Sequence, residues 1–300
     1  MLALFIVLFI TTLYMPFLGS ITSLLLSLPF VVFVARNGWK SGIILFIAAL
    51  ILTLLFGSIF AIPLTFIMGS SGVVMGHLYK QNRSKFEVLS FSSIAFILNL
   101  LVLYVLVITV FEVNIPEVIL QASEDSLKIT REMMEKMGQS LDGDRLVLME
   151  ETLQLIPLLL PTIIVLTGII FALITQIFST LILKRLGFQI EKWPPIREIQ
   201  LPKSIIWYYL ISMIFMIIPL DKDSFLFLAV LNLHQIMQLL MVLQGISFIF
   251  YYCYHKNISK GIPITIAIVS LLFQPLLYIV RIIGIIDLGF NLRNKVEQKK

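Results

Sequence analysis

The sequence predicts an all-α protein, a polytopic transmembrane helical bundle of about eight or nine spans with a small helical extracytoplasmic insert. Hydrophobic residues make up 59% of the chain and charged residues 13%, whereas soluble domains average about 45–50% and about 25%. The charges lie in clusters separated by long apolar runs. Because one crossing of a bilayer needs about 20 apolar residues, these runs are long enough to be membrane spans.

Nine apolar segments follow one another along the chain. Their predicted bounds are 1–15, 18–36, 41–57, 59–79, 88–111, 153–183, 204–220, 225–253 and 262–286. The first is expected to be a retained helix, because it has neither a basic n-region nor a small-residue cleavage site. The predicted organisation is therefore a five-span N-terminal membrane half at 1–111, an insert at 112–151, and a C-terminal membrane half of three to four spans at 152–300.

The charges of the loops predict the orientation of the spans. Basic residues fill alternate loops, at Arg36 and Lys40, Lys80 to Lys85, Lys184 to Lys203, and His255 to Lys260. Cytoplasmic loops carry an excess of Lys and Arg, so the N-terminus is expected in the cytoplasm.

The basic C-terminal tail conflicts with a ninth crossing. A ninth span would carry the tail to the outer side, yet the tail contains Arg293, Lys295, Lys299 and Lys300. Two interpretations are open. Either the last span is broken at Gln274–Pro275 so that the tail returns inward, or one span is miscounted.

The insert at 112–151 is the only sizeable polar segment, with ten acidic residues against four basic ones. Ser123 is expected to cap a helix that starts with Glu124 and Asp125, and Gly138 to end it. Leu127, Thr130, Met134 and Met137 would then share one face. The pattern is typical of an amphipathic helix over the mouth of the bundle or on the lipid surface. A lid that gates a ligand is the alternative.

Small residues in the fourth span predict close helix packing. Gly69, Gly72 and Gly76 fall at i, i+3 and i+7, which puts them on one face where a neighbouring helix can approach closely. A substrate path along this face is the alternative.

The eighth span carries the candidate binding residues. Asn232, His234, Gln235 and Gln238 lie within seven residues, and polar groups inside a membrane are costly enough to indicate function. An amide cluster can bind a polar solute or an ion, and a histidine can carry a proton. The alternative is that these side chains join the bundle by hydrogen bonds to other spans. The partners expected in that case are Asn99, Gln176 and Gln274.

Other chemistry finds little support in the sequence. Arg281 and Asp287 are six residues apart, near opposite faces of a helix, so they are not expected to pair. The chain has no phosphate loop, nucleophile elbow or zinc-protease motif, and its three histidines and single cysteine are scattered. We therefore expect no catalytic residues, no metal, no cofactor and no enzymatic activity. The net charge of +5 comes from loops and does not predict nucleic-acid binding.

The order of features in the N-terminal half resembles a known group of membrane proteins. A Pro-containing turn, an apolar run, a Gly- and Trp-containing loop and a Gly-spaced helix follow one another. The residues concerned are Pro16, Gly19, Pro29, Arg36, Gly38, Trp39, Gly42, Gly69, Gly72, Gly76 and His77. This order resembles the membrane-embedded substrate-binding subunits of energy-coupling-factor vitamin transporters.

Over its whole length the chain looks most like the YybS-like family, a set of multi-pass membrane proteins of Gram-positive bacteria. Its length, acidic insert, additional C-terminal spans and the ending Gly284 to Asp287 followed by Arg293 carry this resemblance. No specific ligand-binding motif matches, so no ligand-contact residues are carried over.

These resemblances imply a multi-pass protein of the bacterial cell membrane that binds a solute or takes part in transport. The partners expected are the lipid bilayer, a small-molecule or ion ligand, and a membrane protein. The alternative function is a non-catalytic scaffold in cell-envelope processes.

Overall fold

The structure is a computed structural model that describes residues 1–137, 149, 151–191 and 193–297. All regular elements within these residues are helical, which confirms the all-α fold class. The helices are α1 Leu2–Tyr14, α2 Pro16–Leu25, α3 Leu28–Asn37, α4 Trp39–Phe56, α5 Ile62–Lys80, α6 Lys85–Val110, α7 Ile115–Lys136, α8 Leu160–Arg185, α9 Ser204–Ile217, α10 Phe225–His255, α11 Gly261–Leu272, α12 Gln274–Phe290 and α13 Leu292–Glu297. Short 3-10 turns lie at Ile59–Ala61, Pro157–Leu159 and Ile196–Glu198.

Six helical segments of the described chain are long and apolar enough to cross a membrane. They are Pro16–Asn37, Trp39–Phe56, Ile59–Lys80, Lys85–Val110, Glu151–Arg185 and Phe225–His255. The bent pair α11 and α12 forms a seventh candidate, and α1 and α9 are shorter apolar helices. A 13-residue helix is about 20 Å long, less than the hydrocarbon thickness of about 30 Å. Six or seven segments therefore qualify as spans by helix length and composition, whereas the eight or nine predicted from hydropathy count α1 and α9 as crossings as well.

The bend between α11 and α12 bears on the side of the C-terminus. The chain direction changes by 119° between the two helices, at Phe273. Ile262, at the start of α11, and Leu292, after the end of α12, line the same cavity, so the pair returns the chain toward the place where it began. This is the first of the two interpretations of the basic tail, a last span that is broken beside Gln274–Pro275.

Contacts divide the chain into two compact units that differ from the sequence segments. Unit 1 comprises residues 1–138 and 163–192, and unit 2 comprises 139–162 and 193–300. Most of α8 therefore packs with the N-terminal helices, although it lies in the C-terminal half of the sequence.

In unit 1 the glycines of α5 lie against α3 and α4. A Cβ on Gly76 would come within 2.6 Å of the Val31 carbonyl oxygen, and one on Gly72 within 2.8 Å of the Ser27 carbonyl oxygen. At Gly69 the obstacle is the Phe46 ring, at 2.5 Å. Because apolar burial gives no hydrophobic gain between helices in lipid, such close contact is a main source of their attraction.

In unit 2 the tightest helix contact joins α10 to α12. A Cβ on Gly245 would overlap the Val280 carbonyl oxygen, and a Cβ on Gly284 would overlap the Met241 carbonyl oxygen. The backbones touch at this point, and only glycine fits there on either side.

The insert helix α7 begins at Ile115, and its cap, Asn114, lies nine residues before the predicted cap. The side chain of Asn114 accepts a hydrogen bond from the Glu117 amide, and Pro116 lies in the first turn. The prediction for Ser123 is wrong, because its hydroxyl donates to the Ile119 carbonyl in mid-helix. Leu127 is buried, whereas the predicted helix end at Gly138 lies outside the described residues.

Candidate functional site

Of the four predicted binding residues, Asn232 has a structural role, because it bonds to the start of another helix. Its Oδ1 accepts hydrogen bonds from the amide and the hydroxyl of Thr162, at 3.0 and 2.7 Å. Its Nδ2 donates to the Leu158 carbonyl at 2.8 Å. The first amides of a helix have no partner within that helix. Asn232 therefore caps the start of α8 from outside and is buried in doing so.

His234 lies in a half-buried polar chain between α9 and α10. Its Nδ1 is 3.0 Å from the Ser212 hydroxyl, and its Nε2 is 2.7 Å from Nε2 of Gln238, one turn further along α10. The ring stacks on Tyr209 with a centroid distance of 5.6 Å and an interplanar angle of 17°. Both ring nitrogens are thus engaged in hydrogen bonds, and a single tautomer of the ring satisfies both bonds.

Gln235 on α10 and Arg281 on α12 are two further polar side chains of unit 2. Among the described residues Gln235 makes no side-chain hydrogen bond, and it is only half-buried. Arg281 lies near enough to His234 for electrostatic interaction. Its guanidinium is 4.8 Å from the Tyr278 ring, and its Nε has no hydrogen-bond partner within the described part of the chain.

A second polar network in unit 2 is centred on Asp287. The carboxylate is fully buried and accepts hydrogen bonds from Gln244 at 2.6 Å and from Nε of Arg293 at 3.1 Å. No ion pair with Arg281 is found in the described chain, as the helical spacing predicts. Sequence reasoning missed the role of Arg293, which it counted as part of the basic tail.

Arg293 also fixes the connection that precedes α9. Its guanidinium donates to the backbone carbonyls of Arg197 and Ile199, each at 2.9 Å, and to the Ser247 hydroxyl at 2.9 Å. Gln244 accepts from the Leu201 amide at 2.9 Å. The network therefore joins α10, α12, α13 and the 196–201 segment, a role of support and not of ligand binding.

Two of the three predicted hydrogen-bond partners of the eighth span bond elsewhere, and the third is exposed. Asn99 donates to Ser71, and Gln176 donates to the Lys85 carbonyl, both inside unit 1. Gln274 is exposed at the start of α12. The predicted choice of partners is therefore wrong, although polar groups of the spans do bond between helices.

Unit 1 contains a buried polar cluster that the sequence reasoning did not identify. Tyr79 Oη is 2.8 Å from the Thr180 hydroxyl, and Ser27 Oγ is 3.0 Å from that of Thr175. The signal was present in α8 as polar pairs one turn apart, Thr175–Gln176 and Ser179–Thr180. These bonds hold α8 against α3 and α5.

Comparison with known proteins assigns the family. A family model described as "Predicted membrane protein (DUF2232)" matches residues 3–288, nearly the whole chain. The chain belongs to this DUF2232 family. In addition, it is 29% identical over 298 residues to "Uncharacterized protein YybS" of Bacillus subtilis (strain 168), covering 99% of this chain and 96% of that protein.

Membership in DUF2232 and the similarity to YybS confirm the YybS-like identification. Together with the six or seven candidate spans they confirm the multi-pass membrane character. No solved structure matches the chain. The similarity of this DUF2232 chain to energy-coupling-factor subunits stays a prediction.

Proposed function

We propose that this chain is a non-catalytic, solute-binding protein of the bacterial cell membrane, transport-related, with its N-terminus in the cytoplasm. Its ligand would contact the surface formed by His234, Gln235 and Gln238 on α10. The observation that supports this is the half-buried amide of Gln235, which has no hydrogen bond within the described chain. It lies ten residues into a 31-residue apolar helix, where an unsatisfied amide is costly.

The chemistry of this surface favours a solute with an anionic or acceptor group. Gln235 offers two N–H donors, and the nearby Arg281 is a cation whose Nε lacks a hydrogen-bond partner among the described residues. His234 and Gln238 are already bonded to each other and to Ser212. They would orient the surface, while Gln235 and Arg281 meet a carboxylate or a similar group.

The test is ligand-dependent thermal stabilisation of the purified full chain in detergent. A panel of carboxylate-containing vitamins and small anions is added to wild type, Gln235→Leu and Gln238→Leu. Gln274→Leu is the matched control, since it removes an exposed amide at the start of α12. We expect at least one compound to raise the melting temperature of wild type and of the control, and this rise to disappear in Gln235→Leu. The proposal fails if no compound stabilises the wild type, or if Gln235→Leu responds equally.

The alternative function, a membrane scaffold in cell-envelope processes, is favoured by one observation on α7. Ile129, Met133 and Met137 recur every fourth residue, and their side chains are 55–75% exposed. A photo-crosslinking residue at Met133 in native membranes tests this. Protein adducts of one defined mass would support a scaffold, and lipid adducts alone would support a helix lying on the membrane surface.

A further inference from the structure

Two cavities flank the start of α11 in unit 2. The first has a volume of about 430 Å³ and the second about 730 Å³, both in the range of small-molecule sites. Cys253 and Ile258 line both cavities, so the two are adjacent. They differ sharply in polarity.

The first cavity combines an apolar wall with a cationic rim. Its wall includes Phe250 and Ile264, and its rim carries Arg197, Lys260 and Asn257. Among the described residues that line it, none is acidic. Such a rim attracts a single anionic group.

Two contacts fix the position of Arg197 beside the first cavity. Its guanidinium lies over the Tyr254 ring at 3.8 Å, and its carbonyl is fixed by Arg293. A stacked guanidinium keeps its in-plane N–H donors for a phosphate or carboxylate. Its contact with Glu198 is long, 3.8 Å, and Glu198 is mostly exposed, so this ion pair competes only weakly.

The second cavity is almost wholly apolar. Isoleucines on α11 and α12, such as Ile266 and Ile283, line it together with Phe248 of α10. It follows α11, a helix of 12 residues and so about 18 Å long. This length accommodates a large part of an acyl chain.

We propose that the two cavities together hold one anionic glycerophospholipid. Its phosphate binds Arg197 and Lys260 at the rim of the first cavity, and an acyl chain occupies the second. Basic pockets between membrane helices on the cytoplasmic side are typical sites for anionic head groups. A soluble anion would bind Arg197 and Lys260 but would leave the larger apolar cavity unfilled.

The experiment compares lipid retention by the full chain in nondenaturing mass spectrometry. Detergent-purified protein is titrated with phosphatidylglycerol, phosphatidylcholine of the same chains, or inorganic phosphate. The variants are Arg197→Gln, Lys260→Gln and Val269→Trp, which fills the second cavity. Lys256→Gln is the matched control, because it removes an exposed charge from the same end of α10 outside both cavities.

We expect wild type and the control to prefer phosphatidylglycerol at least tenfold, each rim variant to lose most of this preference, and Val269→Trp to weaken retention of both lipids. Equal retention of the two lipids by wild type would overturn the proposal. The same holds if Lys256→Gln has as large an effect as the rim variants, if Val269→Trp leaves retention unchanged, or if inorganic phosphate displaces the lipid completely.

Discussion

Arg293 and Asp287 form an ion pair in which Nε lies 3.1 Å from Oδ2, with the carboxylate fully buried and the arginine 7% exposed. An αL residue, Asn291, lies between them and turns the chain from α12 into α13. This turn carries the guanidinium back to the carboxylate and to the 196–201 carbonyls. A buried charge is tolerated only when it is paired and hydrogen-bonded, and Gln244 and Ser247 supply the additional bonds.

Removing one member of this pair is expected to destabilise the protein strongly. Arg293→Gln leaves the Asp287 charge buried without its cation, a loss of about 3–5 kcal/mol for such pairs. Arg83→Gln is the control, because its ion pair with Glu87 is exposed and such pairs contribute about 0–1 kcal/mol. The free energy of unfolding in mixed micelles with a denaturing detergent measures both. Similar free energies of unfolding for the two variants would show that the Arg293–Asp287 pair contributes little to stability.

The contact of α10 with α12 predicts a second difference between variants. Gly284→Ala places a methyl group on the Met241 carbonyl, so the two backbones must separate, at about 1–3 kcal/mol or more. Gly261→Ala is the matched control, because its Cβ meets only Ser259 Oγ at 3.8 Å and should change stability by less than about 0.5 kcal/mol. Thermal melting, monitored by circular dichroism, shows which of the two substitutions lowers stability more. An equal effect of both substitutions would contradict the close contact.

In unit 1 the obstacle that a new methyl group meets decides its effect. At Gly76 the obstacle is the Val31 backbone, which cannot move alone, whereas at Gly69 it is the half-buried Phe46 ring. We expect Gly76→Ala to lower the melting temperature clearly more than Gly69→Ala does. The same melting experiment measures both melting temperatures. A larger decrease for Gly69→Ala would mean that the α3 backbone moves aside more easily than the Phe46 ring.

The helical fold was predictable because each apolar run satisfies its own backbone hydrogen bonds in lipid. The number of spans was less predictable, since hydropathy does not show where a helix ends. Met15–Pro16 stops α1 after 13 residues, and Phe273 divides the last apolar run into two helices. Cap choice failed for a similar reason, because Asn114 and Ser123 both can cap and only Pro116 in the first turn separates them.

The candidate site was predictable as a set of residue types but not as a set of contacts. The spacing of His234 and Gln238 alone places them one turn apart, and they do bond. The partner of Asn232 is 70 residues away at Thr162, and Arg293 binds a carbonyl 96 residues away. Such pairs depend on how helices pack, which the pattern of one helix does not contain.

Substitution by Leu should lower stability at Asn232 but not at Gln235. Asn232→Leu leaves the buried Thr162 amide and the Leu158 carbonyl without their partner, at about 1–3 kcal/mol for each group. Gln235→Leu removes no hydrogen bond of the described chain and takes away a costly unsatisfied amide, so it should leave stability unchanged or raise it. Amide hydrogen exchange at residues 158–162 is the measurement, with faster exchange expected in Asn232→Leu alone. Faster exchange in Gln235→Leu would assign that amide a structural role as well.

The position of the tail next to the 196–201 segment predicts which side of the membrane the C-terminus occupies. Because Arg293 binds the Arg197 and Ile199 carbonyls, Asn294 must lie on the same side as that basic loop. The native cysteine is first removed by Cys253→Ala. Single cysteines are then introduced at three exposed positions, Asn294, Lys256 and Lys222. If α9 crosses the membrane, Lys222, in the loop between α9 and α10, lies on the side opposite the 196–201 segment. With a membrane-impermeant maleimide we therefore expect Lys222→Cys to label in intact cells, and the other two only after permeabilisation. Labelling of Asn294→Cys together with Lys222→Cys would instead mean that the last two helices cross the membrane completely and that the contacts of Arg293 do not form in the cell.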